Sequence, residues 1–407
     1  MHKPSIFYGY KIATAGFVIQ AIGIGTFVAF GVFFKPMLAE FGWSRAALSG
    51  AQSLAIFSSG LLGILIGRLS DRYGPRLLMS VSGFCFGLGL LLISGLNELW
   101  QLYLFYGLLV GIGMSSVMIL PLTSIARWFA RRRGAISGIV KAGTGVGQFA
   151  IPLVAGLLVI SVGWRNSYII IGATVMIVLI AAAQILRRNP ESMGLQVDGN
   201  SVSQTVHLSP QESGFSIHEG ICSRQFWMII FSVFTARFCM MSIMVHIIPH
   251  ATDIGISLTI AASILATIGA VSIAGRIAVG YLTDRIGSRY SLAICLLMLI
   301  SNMVFIQWVT DLWMFYLFAV VFGLTLGGIT TTPSLLVADY FGLRSHGALY
   351  GIVLFGGGVG AAAGSIITGL IFDITGSYSL AFWFLTAIAI VSLLLILPTG
   401  KPKAAVV

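Results

Sequence analysis

Charged residues are scarce in this chain of 407 residues: only 9% of its positions are aspartate, glutamate, lysine or arginine, whereas 57% are hydrophobic. Soluble proteins carry about 25% charged residues, so the composition excludes an ordinary soluble fold of this size. Acids are the rarer sign, with 12 acidic against 23 basic residues. These shortages predict an all-α membrane protein that meets the lipid bilayer along most of its length.

Groups that build other kinds of sites are also missing. The sequence lacks the phosphate-binding pattern G-x-x-x-x-G-K-[ST], which excludes an ATP-driven pump, and it lacks a nucleophile–base set. Its cysteines show neither metal spacing nor an extracellular pairing pattern, and we interpret them as small apolar fillers. They are Cys85, Cys222, Cys239 and Cys295. We therefore expect no enzymatic activity, no metal and no cofactor.

Long apolar runs recur from one end of the chain to the other. Each is about 20 residues or longer, which is enough for a helix to cross the hydrocarbon core of a bilayer. The twelve runs cover approximately residues 10–34, 47–69, 76–96, 101–126, 134–160, 166–186, 226–250, 258–282, 290–309, 312–337, 346–372 and 378–398. We therefore predict twelve transmembrane helices.

Basic residues are unevenly shared between the two sets of helix ends. With the central loop set aside, fourteen lysines and arginines fall at one set of ends, whereas three (Lys35, Arg45 and Arg165) fall at the other. An excess of basic residues marks the cytoplasmic side, so we predict that both termini are cytoplasmic. The net charge of +11 could suggest that the protein binds nucleic acid, but the placement of the basic residues at one set of helix ends argues against this.

A glycine-punctuated loop with the pattern G-x-x-x-D-R-x-G-x-R occurs twice, after the second and eighth runs. Every matched position is 213 residues apart, as in 280 − 67 = 213. The two copies are Gly67, Asp71, Arg72, Gly74 and Arg76, and Gly280, Asp284, Arg285, Gly287 and Arg289. Glycines permit close backbone approach in a tight hairpin, and arginines favour the cytoplasmic side. We expect both loops to take part in conformational change.

The duplication extends over both halves of the chain. RGA at 133–135 is echoed by HGA at 346–348 at the same offset, and Pro121 matches Pro333 at an offset of 212. Two similar six-helix bundles in the same orientation imply a pseudo-two-fold axis along the membrane normal, with the substrate site between them. The predicted domains are a first bundle at 1–186, a polar cytoplasmic linker at 187–224 and a second bundle at 225–407.

The twelve runs, the doubled loop and the middle linker resemble the major facilitator superfamily over essentially the whole chain. FGVFFKPMLAEFGWSRAALSG at 30–50, HIIPHATDIGIS at 246–257 and Arg276, eight residues before Asp284, are similar to the oxalate/formate antiporter family, a bacterial relative of the monocarboxylate transporters. The resemblance implies a monomeric carrier in the bacterial cytoplasmic membrane that works by alternating access. It also implies that Arg276 binds the substrate carboxylate.

Three basic residues, and none of the 12 acids, fall deep inside the apolar runs: Lys141, Arg237 and Arg276. An ionisable side chain at membrane depth is costly and points to function. Cations without a carboxylate suit an anionic substrate, which itself supplies the missing charge. Arg276 lies about 12 Å along a helix from its loop, and so near the middle of a core about 30 Å thick.

Several residues are candidates for contacting such an anion. The planar fork of Arg276 can take a carboxylate with two hydrogen bonds, the alternative being a structural arginine satisfied by backbone carbonyls. Arg237 is either a second anion contact or faces a polar gap between helices, and Lys141 is a candidate unless it extends toward the cytoplasm. The polar candidates, which could also bond across helices, include Gln20, Ser116 and Gln148.

His246 and His250 lie one helical turn apart at the outer end of the seventh run. Histidine titrates near neutral pH, so His246 could form a proton-linked gate. A hydrogen-bonded histidine at a helix end is the alternative. A metal pair would need further ligands, which the sequence does not offer nearby.

The eleventh run bears on the charge of the substrate. In the oxalate exchanger of the resembled family, a lysine there joins the arginine of the eighth span to hold a dianion. This chain has no lysine in that run, which reads YGIVLFGGGVGAAAGSIITG from 350 to 369. We therefore predict a carrier of small monocarboxylates such as lactate or pyruvate, coupled to protons that travel with the anion or through His246. The alternative is organic-anion exchange of the oxalate/formate kind.

Overall fold

The computed structural model describes residues 7–199 and 214–400, and its helices follow the apolar runs. Within these residues, eleven helices are long and apolar enough to cross a membrane. The longest, Arg133–Ile185, is broken at Gly163, whose φ of 79° is a conformation that glycine adopts readily. This helix therefore supplies two spans. The predicted all-α membrane fold is confirmed, with twelve spans once the break is counted.

We number the long helices in chain order, with α5 and α6 as the two parts of the broken helix. They are α1 (Tyr8–Phe41), α2 (Arg45–Tyr73), α3 (Pro75–Ile93), α4 (Leu99–Trp128), α5 (133–162), α6 (164–185), α7 (Arg224–Asp253), α8 (Leu258–Ile286), α9 (Ser288–Phe305), α10 (Leu312–Phe341), α11 (His346–Thr375) and α12 (Tyr378–Ile396). A short helix, Ile217–Cys222, precedes α7. The described part of the chain forms no β-sheet and has one isolated bridge, between Gly214 and Gly342.

Both copies of the repeated loop are tight hairpins between helices. Gly74 follows α2 with a φ of 83°, and Gly287 follows α8 with a φ of 87°. Positive φ is rare for residues that carry a side chain, which explains why glycine stands at both positions. Pro75 then opens α3, where its missing N–H costs nothing because the first N–H groups of a helix have no intrahelical partner.

Contacts divide the described residues into two compact units. Unit 1 contains 7–131, 139–199 and 345–351, and unit 2 contains 132–138, 214–344 and 352–400. The first residues of α5 and of α11 are thus grouped apart from the rest of their helices. The domain boundaries after residues 186 and 224 stay a prediction. Part of the predicted linker (200–213) and the terminal Lys3, Lys401 and Lys403 lie outside the described residues.

In unit 1, α1 and α5 approach each other through glycines of α5. A Cβ atom at Gly147 would overlap the carbonyl oxygen of Ala21, and a Cβ atom at Gly143 would overlap that of Phe17. Small residues allow helix backbones to come this close in membrane proteins, where van der Waals packing drives helix association. These glycines are therefore packing residues of the α1–α5 contact.

In unit 2, α7 and α11 make a contact of the same kind. A Cβ atom at Gly360 would overlap the carbonyl oxygen of Phe234, and one at Gly364 would overlap that of Phe238. Helix α8 packs on α10 in a similar way, since a Cβ atom at Gly275 would overlap the carbonyl oxygen of Leu324. Glycines thus hold the helices that carry the candidate cations against their neighbours.

We expect Gly147→Ala to lower the thermal stability of the purified protein in detergent. The added methyl group meets a buried carbonyl oxygen, and overpacking of this kind costs about 1–3 kcal/mol. The matched control is Gly156→Ala on the same helix, where nothing lies within 4 Å of the added atom. It should be neutral or stabilise the helix by up to about 1 kcal/mol. Equal unfolding midpoints for the two variants would contradict the packing role.

Candidate functional site

Arg276 lies in the middle of α8 and is 4% exposed. Its Nη1 atom donates a hydrogen bond of 3.0 Å to the hydroxyl of Ser272, one turn earlier on the same helix. Its Nε atom is buried and has no hydrogen-bond partner among the described residues. Helix α8 packs closely on α10 at this level, because a Cβ atom at Gly327 would overlap the backbone of Ser272 and Arg276.

The charge of Arg276 is not balanced by a carboxylate of the described chain. Some other arginines form ion pairs, as in Arg127–Asp71 at 2.5 Å and Arg165–Glu40 at 2.6 Å, but Arg276 forms no ion pair with a described acid. It also makes no hydrogen bond to a backbone carbonyl within residues 7–199 and 214–400, which was the structural alternative. A buried, unpaired charge is costly, so the arrangement favours an anion as its missing partner.

Arg237 lies on α7 in the same unit and is partly buried. Its side chain passes Gly357 of α11, where a Cβ atom would lie 3.4 Å from its Cγ and 3.8 Å from its Nε. Two of the three deep basic residues, Arg237 and Arg276, therefore lie in unit 2.

The remaining candidates for substrate contact lie in unit 1. Lys141 is on α5 and is 8% exposed. Gln148 is on the same helix, but its side chain is exposed. Ser116 of α4 is fully buried, and its hydroxyl is 2.6 Å from that of Ser82 on α3. The geometry of Ser116 matches the alternative in which such residues bond across helices.

Gln20 has a structural role that the sequence did not reveal. Pro121 has no N–H, so the carbonyl of Val117, four residues earlier in α4, has no helical partner. The amide of Gln20 donates to this carbonyl at 2.8 Å, and its oxygen accepts a hydrogen bond of 2.8 Å from Thr144 of α5. Gln20 thereby joins α1, α4 and α5 through its side-chain amide. Pro121 indicates that a carbonyl of α4 lacks a helical partner. The sequence does not indicate that Gln20, 97 residues from Val117, supplies the missing donor.

The acid of each repeated loop accepts hydrogen bonds from the first backbone N–H groups of a helix in the same unit. In unit 1, Asp71 accepts hydrogen bonds from Arg127 and, at 3.3 and 3.4 Å, from the backbone N–H groups of Gly347 and Ala348. In unit 2, Asp284 accepts from the N–H groups of Gly134 and Ala135 at 2.6 and 2.8 Å. A carboxylate at a helix N-terminus satisfies free N–H groups and complements the helix dipole. The part of these loops in conformational change stays a prediction.

The arginines that follow these acids pack on tyrosine rings. Arg72 lies over the ring of Tyr73 at 5.3 Å, and Arg285 lies over that of Tyr281 at 4.5 Å. These distances are within the range of cation–π attraction. Both arginines therefore pack on an aromatic ring, Arg72 on that of the next residue and Arg285 on that of a residue one turn earlier.

His246 joins three helices of unit 2 near the C-terminal end of α7. Its Nε2 is 3.0 Å from the carbonyl oxygen of Ser365 on α11, and its Nδ1 is 3.1 Å from the hydroxyl of Tyr378 on α12. A carbonyl only accepts, so Nε2 carries the proton and the neutral ring is satisfied when Tyr378 donates to Nδ1. This is the hydrogen-bonded arrangement that we gave as the alternative to a proton-linked gate. A role in proton coupling stays a prediction.

No group of three histidine, cysteine or acidic side chains that could hold a metal comes together in the described ranges. The deep charged groups of unit 2 are the guanidinium groups of Arg237 and Arg276. A duplicated bundle of membrane-spanning helices with buried cations defines a multi-pass membrane carrier. The Major Facilitator Superfamily model matches residues 16–301 and 251–407, and the chain belongs to this family.

Curated relatives are similar over most of their length. Human monocarboxylate transporter 7 is 23% identical over 451 residues, covering 96% of this chain and 86% of the relative. An uncharacterized MFS-type transporter of Bacillus subtilis, YcxA, is 27% identical and covers 89% of this chain and 88% of its own length. The predicted similarity to the monocarboxylate transporters is confirmed. The finer assignment to the oxalate/formate antiporters stays a prediction.

Solved structures confirm the fold. The transporter FucP in its outward conformation has a TM-score of 0.72 at 13% identity, covering 96% of this chain and 98% of its own. The human organic anion transporter MFSD10 (TETRAN) also has a TM-score of 0.72, at 14% identity, covering 97% of this chain and 100% of its own. At such identities the likeness shows the fold alone. Relatives and structural neighbours are transporters, which are not enzymes, so the prediction of no enzymatic activity is confirmed.

We expect Gln20→Ala to destabilise the protein by about 1–3 kcal/mol, because it leaves the Val117 carbonyl and the Thr144 hydroxyl buried without partners. The exposed Gln148 on α5 provides the control, and Gln148→Ala should leave the unfolding midpoint unchanged. Thermal unfolding in detergent compares the two variants. Equal midpoints would mean that the hydrogen bond of Gln20 to the Val117 carbonyl does not stabilise the protein.

Proposed function

We propose that this transporter is a secondary active carrier of small monocarboxylates, such as lactate or pyruvate, in a bacterial cytoplasmic membrane. The observation that carries the proposal is the buried guanidinium of Arg276, which has a serine hydroxyl but no carboxylate beside it among the described residues. A monocarboxylate supplies one negative charge, which matches this one unpaired cation. The names of the relatives among the monocarboxylate transporters support the same substrate class.

The hydrogen bonds of Arg276 favour a carboxylate over other anions. Its Nη1 atom is already used by Ser272, whereas its Nε atom still needs an acceptor. The edge of the guanidinium that carries Nε presents two parallel N–H groups, which fit the two oxygens of a carboxylate. Bound in this way, the substrate removes both the unpaired charge and the unsatisfied donor.

Binding of the anion then favours closure of the site. An empty site holds a buried charge without a partner, whereas an occupied site is nearly neutral and costs less to seal from water. Alternating access is thereby linked to occupancy. We propose that the coupled proton travels with the anion, because both ring nitrogens of His246 already have hydrogen-bond partners. Arg237, Lys141, Gln148 and Ser116 remain predicted contributors to substrate binding.

Uptake of labelled L-lactate into empty proteoliposomes tests this function. An inward proton gradient should stimulate uptake, and Arg276→Ala should reduce it at least about 100-fold because the carboxylate loses its charged donor. Arg224→Ala, at an exposed position at the start of α7, is the control and should transport like the unmodified protein. His246→Gln should keep the stimulation by the proton gradient if the proton travels with the anion.

Two outcomes would contradict the proposal. Uptake by Arg276→Ala equal to that of the unmodified protein would remove the arginine from the site. Uptake that begins only after oxalate or formate is loaded inside the vesicles would show the exchange of organic anions instead.

A further inference from the structure

The serine one turn before Arg276 has a counterpart at the matched position of unit 1. Ser272 of α8 and Ser59 of α2 are 213 positions apart, which is the offset of the repeated loops. Each hydroxyl donates a hydrogen bond to the carbonyl three residues earlier, Ser272 to Gly269 at 2.7 Å and Ser59 to Ile56 at 2.8 Å. Both serines are buried. The two helices therefore share a serine whose hydrogen is used by its own helix backbone.

The residue that follows this serine by one turn differs between the units. Position 276 is arginine in α8, whereas the matched position in α2, 276 − 213 = 63, is Gly63. The bond of the serine to the backbone therefore forms with or without an arginine. In unit 2 the same hydroxyl takes part in a second hydrogen bond, which it accepts from Nη1 of Arg276 at 3.0 Å.

The donor and the acceptor in these two hydrogen bonds follow from the groups themselves. A hydroxyl has one hydrogen to donate, and a guanidinium has donors only. Because Ser272 gives its hydrogen to the Gly269 carbonyl, its oxygen serves Arg276 as an acceptor. Hydrogen bonds in such a chain strengthen one another. The helix backbone therefore sets the direction of the acceptor that Nη1 meets.

The part of α8 that carries both side chains is held against α10. A Cβ atom at Gly327 would overlap the carbonyl oxygen of Ser272 and the backbone nitrogen of Arg276. Such small residues let two helix backbones pack in contact. Serine places its hydroxyl only one side-chain torsion away from this backbone. The acceptor for Nη1 therefore stands on a short side chain at a packed position.

A held Nη1 atom decides which edge of the guanidinium is open. The group is planar, so a restraint on Nη1 also restrains the plane in which its other N–H groups lie. The Nε atom belongs to another edge, is buried and has no partner among the described residues. Serine is neutral, so it orients the guanidinium without cancelling the charge that an anion would pair with.

We propose that Ser272 is a positioning residue of the substrate site, which holds Nη1 of Arg276 so that the edge carrying Nε is oriented before the carboxylate arrives. This inference rests on the proposed function, in which Arg276 binds the carboxylate. A side chain that is already oriented loses less freedom when the substrate binds, and the ordering of a long side chain lowers affinity. Ser272 thereby raises the affinity for the carboxylate without contacting it.

Isothermal titration of the purified protein with L-lactate tests the proposal. Ser272→Ala should weaken binding about 3- to 10-fold, because Arg276 then becomes ordered only when the substrate binds. The hydrogen bond itself is absent before and after binding in this variant, so its loss cancels. Ser59→Ala is the matched control, since it removes the same bond to the backbone where no arginine follows, and it should bind lactate like the unmodified protein.

Two further variants separate the orientation of Arg276 from the packing of the helix. Ser272→Thr keeps the hydroxyl and adds a methyl group, and it should keep the affinity for lactate. Ser272→Cys is close to serine in size but offers only a weak acceptor, and it should weaken binding as much as Ser272→Ala does. A serine with a packing role alone would give the reverse order, because the added methyl group crowds the contact with α10.

Three results would overturn the inference while the proposed function stands, provided that Arg276→Gln loses lactate binding. They are a Ser272→Ala variant with the affinity of the unmodified protein, a Ser59→Ala variant that is weakened as much as Ser272→Ala, and a Ser272→Cys variant that binds more tightly than Ser272→Thr. An unmodified protein that binds no lactate would overturn the proposed function together with the inference.

Discussion

The buried charge of Arg276 is the constraint on which the candidate site depends. A guanidinium that is 4% exposed, without a described carboxylate to pair with, is expensive in a membrane protein. Its cost is acceptable only if a partner arrives during function. An anionic substrate is such a partner, and its binding changes the charge that the closed protein has to bury. Under the proposed function, the same residue gives both affinity for the anion and a reason for transport to depend on occupancy.

The remainder of unit 2 holds this charge in place through small residues. Glycines let α8, which carries Arg276, pack on α10 and let α7, which carries Arg237, pack on α11 with backbone contact. Unit 1 repeats the α7–α11 packing with a neutral, satisfied pair, Gln20 and Thr144, in α1 and α5. The two helix pairs thus share their glycine packing but carry different polar side chains, Gln20 and Thr144 in unit 1 and Arg237 in unit 2.

Much of the fold could be predicted from the sequence, because membrane helices must be long, apolar and internally hydrogen-bonded. The repeated loops and the depth of Arg276 followed from spacing along single helices. The role of Gln20 did not, since it depends on contacts between distant helices. Nothing in the sequence near Gln20 indicates the Val117 carbonyl that Pro121 leaves unpaired. Ser116 shows the opposite case. Its depth in the membrane suggested a contact with substrate, but its hydroxyl bonds to that of Ser82 on the neighbouring helix α3.

Equilibrium binding of L-lactate to the purified protein tests the central claim most directly, because it does not depend on coupling or on the direction of transport. Isothermal titration compares the unmodified protein with Arg276→Gln, which keeps most of the side-chain volume and removes the charge. The account predicts saturable binding that the substitution weakens at least about 100-fold, as expected for loss of a charged bidentate donor. Equal affinity of the two proteins for lactate would contradict it.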